Sequence, residues 1–244
     1  MSHDLEACLQ EVTGRLFALA GQTPMQGIAG EEIHRIGGVP VPAQRRTVAA
    51  GYSFVTESRS GNLAAWNYIW SASAYHEVMC QALYFYQDSQ LRPLGPDEVE
   101  TILGWGQRCT CWKHSDDLAK IYADGVEANP DWILPTLREW NDDASPWLRR
   151  MSMTSLIEYA RKRKRFLPYD ELISFVLPLL DDPDFYVQKG LGWTVREIGN
   201  AYPEPFGEFM AEHAARLTPQ AWTGATKNMD GDEKARLMAI RRGR

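Results

Sequence analysis

The side chains best suited to chemistry in this sequence are two tryptophans and one aspartate, in segments whose patterns predict helix. Trp112 precedes Asp116 by four residues, and Trp193 lies within the segment 188–197. The four-residue spacing places an aromatic ring and an anion on one side of a helix. This combination suits a cationic, sugar-like species, so it indicates chemistry at a glycosidic bond.

The composition is that of a soluble globular protein. The chain has 244 residues, of which 44% are hydrophobic and 24% are charged, and this length fits one large domain or two small ones. No uncharged run approaches the roughly 18 residues of a membrane helix. The first residues also lack the basic flank and apolar core of a signal peptide. We therefore predict a cytoplasmic protein with no membrane partner.

The cysteines do not predict a disulfide framework or a metal site. Cys8, Cys80, Cys109 and Cys111 are too few for a disulfide framework at this length. The pair Cys109 and Cys111, followed by His114, resembles half of a metal site. No second ligand pair follows at the spacing of zinc sites, however. We predict free thiols, no metal and no cofactor.

The charge is acidic overall but unevenly distributed. A net charge of −6 argues weakly against a nucleic-acid partner. Seven basic residues nevertheless fall within one short stretch: Arg149, Arg150, Arg161, Lys162, Arg163, Lys164 and Arg165. Such a cluster is either a solvated helix end or an edge that binds phosphate, and the sequence alone leaves both interpretations open.

The fold class is predicted from periodicity and from an internal repeat. Alternation at strand period is nearly absent, which favours an all-α protein. When the chain is shifted by 39 positions, Asp131 lies over Asp170 and the Asp-Asp pair 142–143 lies over 181–182. Each unit then contains a helix, an Asp-Asp turn and a second helix. This period is typical of HEAT-like helical-hairpin repeats stacked into a curved solenoid.

The second helices of consecutive repeats are expected to line one surface. Arg149, Arg150, Gln188 and Lys189 lie in their first turns, where unpaired N–H groups favour anions. Stacked helices are about 10 Å apart, a spacing short enough to follow a nucleic-acid backbone. The same side chains could instead pair with the Asp-Asp turns.

Taken together, these segments resemble the AlkD family of alkylpurine DNA glycosylases. The resemblance extends from Pro42-x-x-Arg45-Arg46 through Trp112-x-x-x-Asp116 and Trp147-Leu-Arg-Arg150 to the segment 185–197. It implies a single HEAT-like domain over 1–244, with a flexible tail after about residue 228. It further implies a monomer associated with the nucleoid. The chain departs from the family at Lys113, where an acid is common, and at 25–28, which has no counterpart of an N-terminal tyrosine near the lesion.

The resemblance also assigns roles to individual residues. Asp116 is similar to the catalytic aspartate of the family, and Trp112 and Trp193 are similar to the tryptophans that face the sugar of the damaged nucleotide. The expected contacts to the DNA backbone come from a larger set: Arg150, Lys189, Arg149, Gln188, Arg45 and Arg46. The implied activity is removal of cationic purines such as 3-methyladenine and 7-methylguanine, and of bulky adducts, from duplex DNA without base flipping. The alternative is a non-catalytic HEAT-like module that binds branched DNA or protein.

Overall fold

The computed structural model describes residues 4–21 and 33–243, and this part of the chain is helical. Thirteen α-helices and four short 3₁₀ turns lie within it, and it contains no β-strand. The prediction of an all-α protein is confirmed. The segment 25–28 lies outside the described residues. None of the described helices is both long and apolar enough to cross a membrane.

The chain forms two compact units, Met1–Thr110 and Cys111–Arg244, and the single domain over 1–244 stays a prediction. The first unit contains α1 (Leu5–Ala20), α2 (Val41–Ala49), α3 (Arg59–Ala72), α4 (His76–Tyr86) and α5 (Pro96–Gly104), with 3₁₀ turns at Ser89–Leu91 and Trp105–Arg108. Helix α3 packs against α1 and α4. The core of this unit is aromatic, with Trp66, Trp70 and Trp105 almost completely buried.

The second unit holds most of the predicted site residues. It contains α6 (Trp112–Ala128), α7 (Pro130–Trp140), α8 (Pro146–Thr154), α9 (Tyr169–Val176), α10 (Phe185–Ala201), α11 (Pro203–His213), α12 (Pro219–Ala225) and α13 (Gly231–Arg241), with 3₁₀ turns at Ala160–Lys162 and Leu177–Leu179. Several of these helices begin with proline, whose fixed φ suits the first helical turn.

The predicted repeat is present as consecutive helical hairpins. Helices α7 and α8 form one hairpin, and α9 and α10, which follow at the 39-residue offset, form the next. The second helices lie side by side, because α8 packs against both α6 and α10, and α10 packs against both α8 and α12. Apolar residues such as Leu191 and Val195 are buried between them. A single hairpin could not bury this surface by itself.

Helices α10 and α12 approach each other so closely that glycine is required at the contact. A Cβ atom built on Gly192 would lie 2.4 Å from the carbonyl oxygen of Ala221 and 2.9 Å from its Cα. Gly224 faces the same contact, because its Cβ would lie 2.9 Å from the carbonyl carbon of Gly192. Both helices therefore meet backbone to backbone, which fixes the position of α10 and of the side chains that it carries.

Replacing Gly192 by alanine is expected to destabilise the protein by about 1–3 kcal/mol, because the new methyl group overlaps backbone that cannot rotate away. Urea unfolding would measure the loss. Gly207 is a matched control inside α11, since its Cβ would meet nothing within 4 Å. Gly207→Ala should leave stability unchanged or raise it through helix propensity. Equal stabilities for the two variants would contradict the close contact of α10 and α12.

The segment after residue 228 contains α13 (Gly231–Arg241), and the flexibility expected of this tail stays a prediction. Asp230 caps α13 by accepting hydrogen bonds from the backbone N–H groups of Asp232 and Glu233. Leu237 is completely buried, and the guanidinium of Arg241 donates to the carbonyl of Ala214 at 2.5 Å. Capping, burial and this hydrogen bond hold α13 against the rest of the second unit.

Candidate functional site

The candidate site begins at the first turn of α6. Trp112 is the first residue of this helix, and its side chain is half exposed, at 50%. Asp116 follows one turn later on the same face, with 26% of its side chain exposed. An indole face and a carboxylate edge are thus both open to solvent at the end of one helix.

The carboxylate of Asp116 is held by an arginine from the neighbouring helix α8. Arg150, on α8, donates from Nη2 to Oδ1 of Asp116 at 2.8 Å. Its Nη1 atom donates to the backbone carbonyl of Tyr186, at the start of α10, at 2.5 Å. Arg150 is only 5% exposed. This arginine therefore connects α6, α8 and α10, and it fixes the direction of the Asp116 side chain.

Space for the guanidinium of Arg150 comes from a glycine on α10. A Cβ atom on Gly190 would lie 2.9 Å from Nη1 and 3.0 Å from Cγ of Arg150. Glycine inside a helix costs stability relative to alanine, so its presence here has a packing reason. Sequence reasoning missed this role, although two glycines within three residues of a helix are a signal that such a contact exists.

Trp193 lies three residues after Gly190, on the same face of α10. Its ring centroid is 5.4 Å from that of Tyr159, and the two rings are tilted by 59°. The indole is partly exposed, while its Nε1 atom is buried and has no hydrogen-bond partner within the described chain. Two tryptophans and one oriented carboxylate therefore lie on the row formed by α6, α8 and α10.

The four polar residues expected on one surface take different positions. The exposed residue among them is Lys189, whose ammonium lies 5.4 Å from the ring centroid of Phe185. Arg149 pairs with Asp182 at 2.6 Å, so it binds an Asp-Asp turn, which was the alternative left open by the sequence. Gln188 is 2% exposed. Its amide nitrogen donates to three carbonyls, those of Leu179, Leu180 and Asp182.

The two remaining arginines predicted to contact DNA lie on α2 in the first unit. Arg45 and Arg46 are both exposed. The guanidinium of Arg45 lies 4.2 Å from the ring centroid of Tyr84 and donates to the side-chain oxygen of Gln87 at 2.9 Å. Their expected contact with DNA stays a prediction.

Comparison with known proteins decides the family. The family described as DNA alkylation repair enzyme matches residues 24–229. This chain belongs to that family. Its membership confirms the AlkD-like assignment and agrees with the helical-hairpin repeats described above. A search of curated protein sequences returned no match.

Solved structures share the fold of this DNA alkylation repair family member at low sequence identity. A predicted DNA alkylation repair enzyme from Enterococcus faecalis is 16% identical, with a TM-score of 0.64, covering 91% of this chain and 96% of the other. AlkD2 from Streptococcus mutans is 14% identical, with a TM-score of 0.55 and coverages of 96% and 97%. The protein smu.31 from Streptococcus mutans UA159 is 15% identical, with a TM-score of 0.52 and coverages of 82% and 90%.

Lys113, where this family member departs from the usual acid, belongs to a buried charge cluster beside the site. The carboxylate of Asp117 is 3% exposed and accepts from Lys113 Nζ at 2.7 Å and from Lys120 Nζ at 2.8 Å. Burial alone would raise the pKa of Asp117, but the two ammonium groups outweigh it and lower the pKa to about 2. All three residues lie on α6, so the cluster stabilises this helix internally, directly after the residue that carries the candidate catalytic carboxylate.

This cluster predicts a specific dependence of stability on pH. Above about pH 4 the wild-type protein should exceed Asp117→Asn in unfolding free energy by about 2 kcal/mol, because the pKa of the buried carboxyl is depressed in the folded state. That advantage should shrink as the pH falls below the ordinary carboxyl pKa and toward the folded-state value. Urea unfolding at about pH 6 and about pH 3 would measure it. Asp181→Asn, at an exposed position, is the control. A difference in unfolding free energy between wild type and Asp117→Asn that does not change with pH would contradict the ion-pair account.

All four cysteines lie within the described residues, and none of them forms a disulfide. Cys8, Cys80 and Cys109 are buried, and Cys111 is partly exposed. Cys111 is the N-cap residue of α6, and its side chain makes no capping hydrogen bond to the helix.

Proposed function

We propose that this protein is a DNA glycosylase that hydrolyses the N-glycosidic bond of cationic alkylated purines in duplex DNA. The observation that carries the proposal is the carboxylate of Asp116. It is fixed by Arg150 at 2.8 Å, yet 26% of its side chain is open to solvent. A buried structural carboxylate would have no need of an open edge beside an exposed indole, and membership of the DNA alkylation repair family supports this reading.

The substrate class follows from the chemistry that one carboxylate can support. A purine alkylated at N3 or N7 carries positive charge, so it leaves as a neutral base when it takes the electron pair of its bond to the sugar. No general acid is needed at the base. The sugar develops positive charge in an oxocarbenium-like transition state, and the anion of Asp116 stabilises that charge.

Water completes the reaction. Its oxygen forms a bond to the anomeric carbon as the bond to the base breaks, and it then loses a proton. The carboxylate of Asp116 orients this water and accepts the proton. The products are the free purine and an abasic deoxyribose.

The two tryptophans are proposed to face the sugar. Indole faces attract polarised or cationic groups by about 0.5–2 kcal/mol each. The half-exposed ring of Trp112 leaves the site open, so the damaged base can stay in the duplex while the sugar contacts the protein. This arrangement supports excision without base flipping.

The basic residues divide into two roles. Arg150 is a positioning residue for Asp116, because its guanidinium is buried against that carboxylate and the carbonyl of Tyr186. Lys189, exposed on α10, contacts the DNA backbone, and Arg45 and Arg46 are proposed to do the same from α2. Arg149 and Gln188 instead stabilise the repeats.

Single replacements of the tryptophans are expected to lower the rate of base release less than loss of Asp116 does. Trp112→Ala and Trp193→Ala each remove one aromatic face and leave the carboxylate in place, so each should slow release about 3- to 30-fold. Single-turnover kinetics would measure this. Trp132→Ala, at an exposed position on α7, is the matched control. If neither Trp112→Ala nor Trp193→Ala slows base release, the tryptophans do not contact the sugar.

The proposal is tested by comparing a cationic lesion with a neutral one in the same duplex. We expect the protein to release 7-methylguanine and to leave hypoxanthine in place, because the site supplies no acid for a neutral leaving group. Equal release of both bases would contradict the mechanism. Tight binding of duplex DNA with no release of either base would favour the non-catalytic module.

A further inference from the structure

The loop between α8 and α9 presents a strong local positive charge in an acidic protein. The net charge of the chain is −6, yet the loop carries four exposed basic side chains: Arg161, Lys162, Lys164 and Arg165. None of the four forms an ion pair with another described residue. Unpaired cations at this density create a local field that attracts polyanions.

The fifth basic residue of the loop points inward and anchors it. The guanidinium of Arg163 binds the carboxylates of Asp124, Glu127 and Glu158, and it also donates to the backbone carbonyl of Glu158 at 3.0 Å. Only 7% of its side chain is exposed. Because Arg163 pairs with these carboxylates, the four exposed basic side chains remain available to contact solvent or a ligand.

The backbone of the loop is also fixed. The N–H of Ala160 donates to Oε2 of Glu197 at 3.0 Å, and the N–H of Lys164 donates to Oε1 of Glu127 at 2.9 Å. Tyr159 has a positive φ of 49°, a conformation that costs a tyrosine about 1–3 kcal/mol and persists only where its surroundings hold it. The four exposed cations therefore project from a loop whose backbone is held in place by hydrogen bonds.

Tyr159 connects this loop to the candidate site. Its ring lies against Trp193, with centroids 5.4 Å apart. The ammonium of Lys162 lies 4.6 Å from the same ring centroid, and the guanidinium of Arg161 lies 5.9 Å from it. The basic side chains consequently border the tryptophan that is proposed to face the sugar.

We propose that the loop 159–165 binds phosphate groups of the DNA backbone next to the nucleotide held at Asp116. The cations of Arg161, Lys162, Lys164 and Arg165 supply these contacts, and Arg163 and Tyr159 hold the loop against the site. This inference rests on the proposed action on duplex DNA. It makes this loop the main electrostatic contact between the second unit and DNA. Lys189, which is exposed on α10, adds a further contact.

Two double variants test the loop: Arg161→Ala/Lys162→Ala and Lys164→Ala/Arg165→Ala. Affinity for a duplex carrying 7-methylguanine is measured by fluorescence anisotropy over a range of salt concentrations. Each lost phosphate contact should reduce the magnitude of the slope of log affinity against log salt by about 0.9. Each double variant should therefore lower the slope by about 2 and weaken binding about tenfold or more at low salt.

The matched control removes the same charge from α13. Lys234→Ala/Arg236→Ala should keep the parental slope, since this pair lies away from the loop in sequence and Arg236 already pairs with Glu233. Parental slopes for both loop variants, or an equal loss for the control, would overturn the inference. A parent that binds no duplex DNA would overturn it as well.

Failure of the proposed glycosylase function can be distinguished from failure of the inference about the loop. A parent that binds the duplex but releases no base would refute the glycosylase activity. The loop would then still be accepted or rejected on the slopes alone, because anisotropy measures binding without catalysis.

Discussion

Asp116→Asn should lower the rate of 7-methylguanine release about 100- to 1000-fold while the protein keeps its fold and its affinity for lesion DNA. The amide has nearly the same shape as the carboxylate, and its oxygen can still accept from Arg150, whose Nη2 lies 2.8 Å away. The change therefore removes the anion and little else. Loss of one such electrostatic contact costs about 2.7–4 kcal/mol of transition-state stabilisation.

The control for Asp116→Asn is Asp131→Asn, which neutralises an exposed first-turn acid of α7. Both variants change the net charge equally. Single-turnover rates and duplex affinities for the two proteins separate a catalytic effect from a general charge effect. Release by Asp116→Asn at the parental rate would exclude this carboxylate from the chemistry.

Arg150→Met should slow base release by about 100-fold, because small displacements of a catalytic group are enough for a loss of this size. Methionine fills much of the volume beside Gly190 but cannot hold the carboxylate of Asp116. Breaking a fully buried ion pair costs about 3–5 kcal/mol. Asp116 keeps some contact with water, so the loss of stability should be smaller, at about 1–2 kcal/mol.

A matched arginine shows whether this effect is specific. Arg138, on α7, pairs with Glu171 at 2.6 Å, so Arg138→Met also breaks an ion pair between repeats. It should leave the rate of base release unchanged. A purely structural role for Arg150 would give normal rates for Arg150→Met well below its melting temperature, whereas a positioning role gives slow release at every temperature where the protein is folded.

The sequence allowed the helical-hairpin repeat to be predicted, together with the shared helix face of Trp112 and Asp116, because both depend on local spacing. Helical periodicity and the 39-residue offset predict the hairpins that the structure contains. Trp112 and Asp116 lie on one helix face by their spacing alone. These features need no knowledge of how distant segments pack.

Side-chain direction on adjacent residues was harder to predict. Arg149 and Arg150 were expected on one surface, but neighbouring residues on a helix point in different directions. Arg149 reaches Asp182 and Arg150 reaches Asp116. Gln188 likewise turns inward to carbonyls of the preceding turn. These partners lie in other elements, so only the folded chain identifies them.

The basic loop shows the same limit. The sequence shows five consecutive basic residues at 161–165, without distinguishing those that anchor the loop from those free to bind. The distinction comes from Asp124 and Glu127 on α6, which meet Arg163 only after the repeats have stacked. The role of Gly190 was missed for a similar reason, since the side chain that needs its space belongs to another helix.

The most direct test of the proposed function is single-turnover incubation of the purified protein with a duplex carrying one 7-methylguanine, in the presence of EDTA. We expect free 7-methylguanine and an equal amount of abasic site, formed much faster than by spontaneous depurination. An intact lesion strand after prolonged incubation, with the duplex bound throughout, would contradict glycosylase activity.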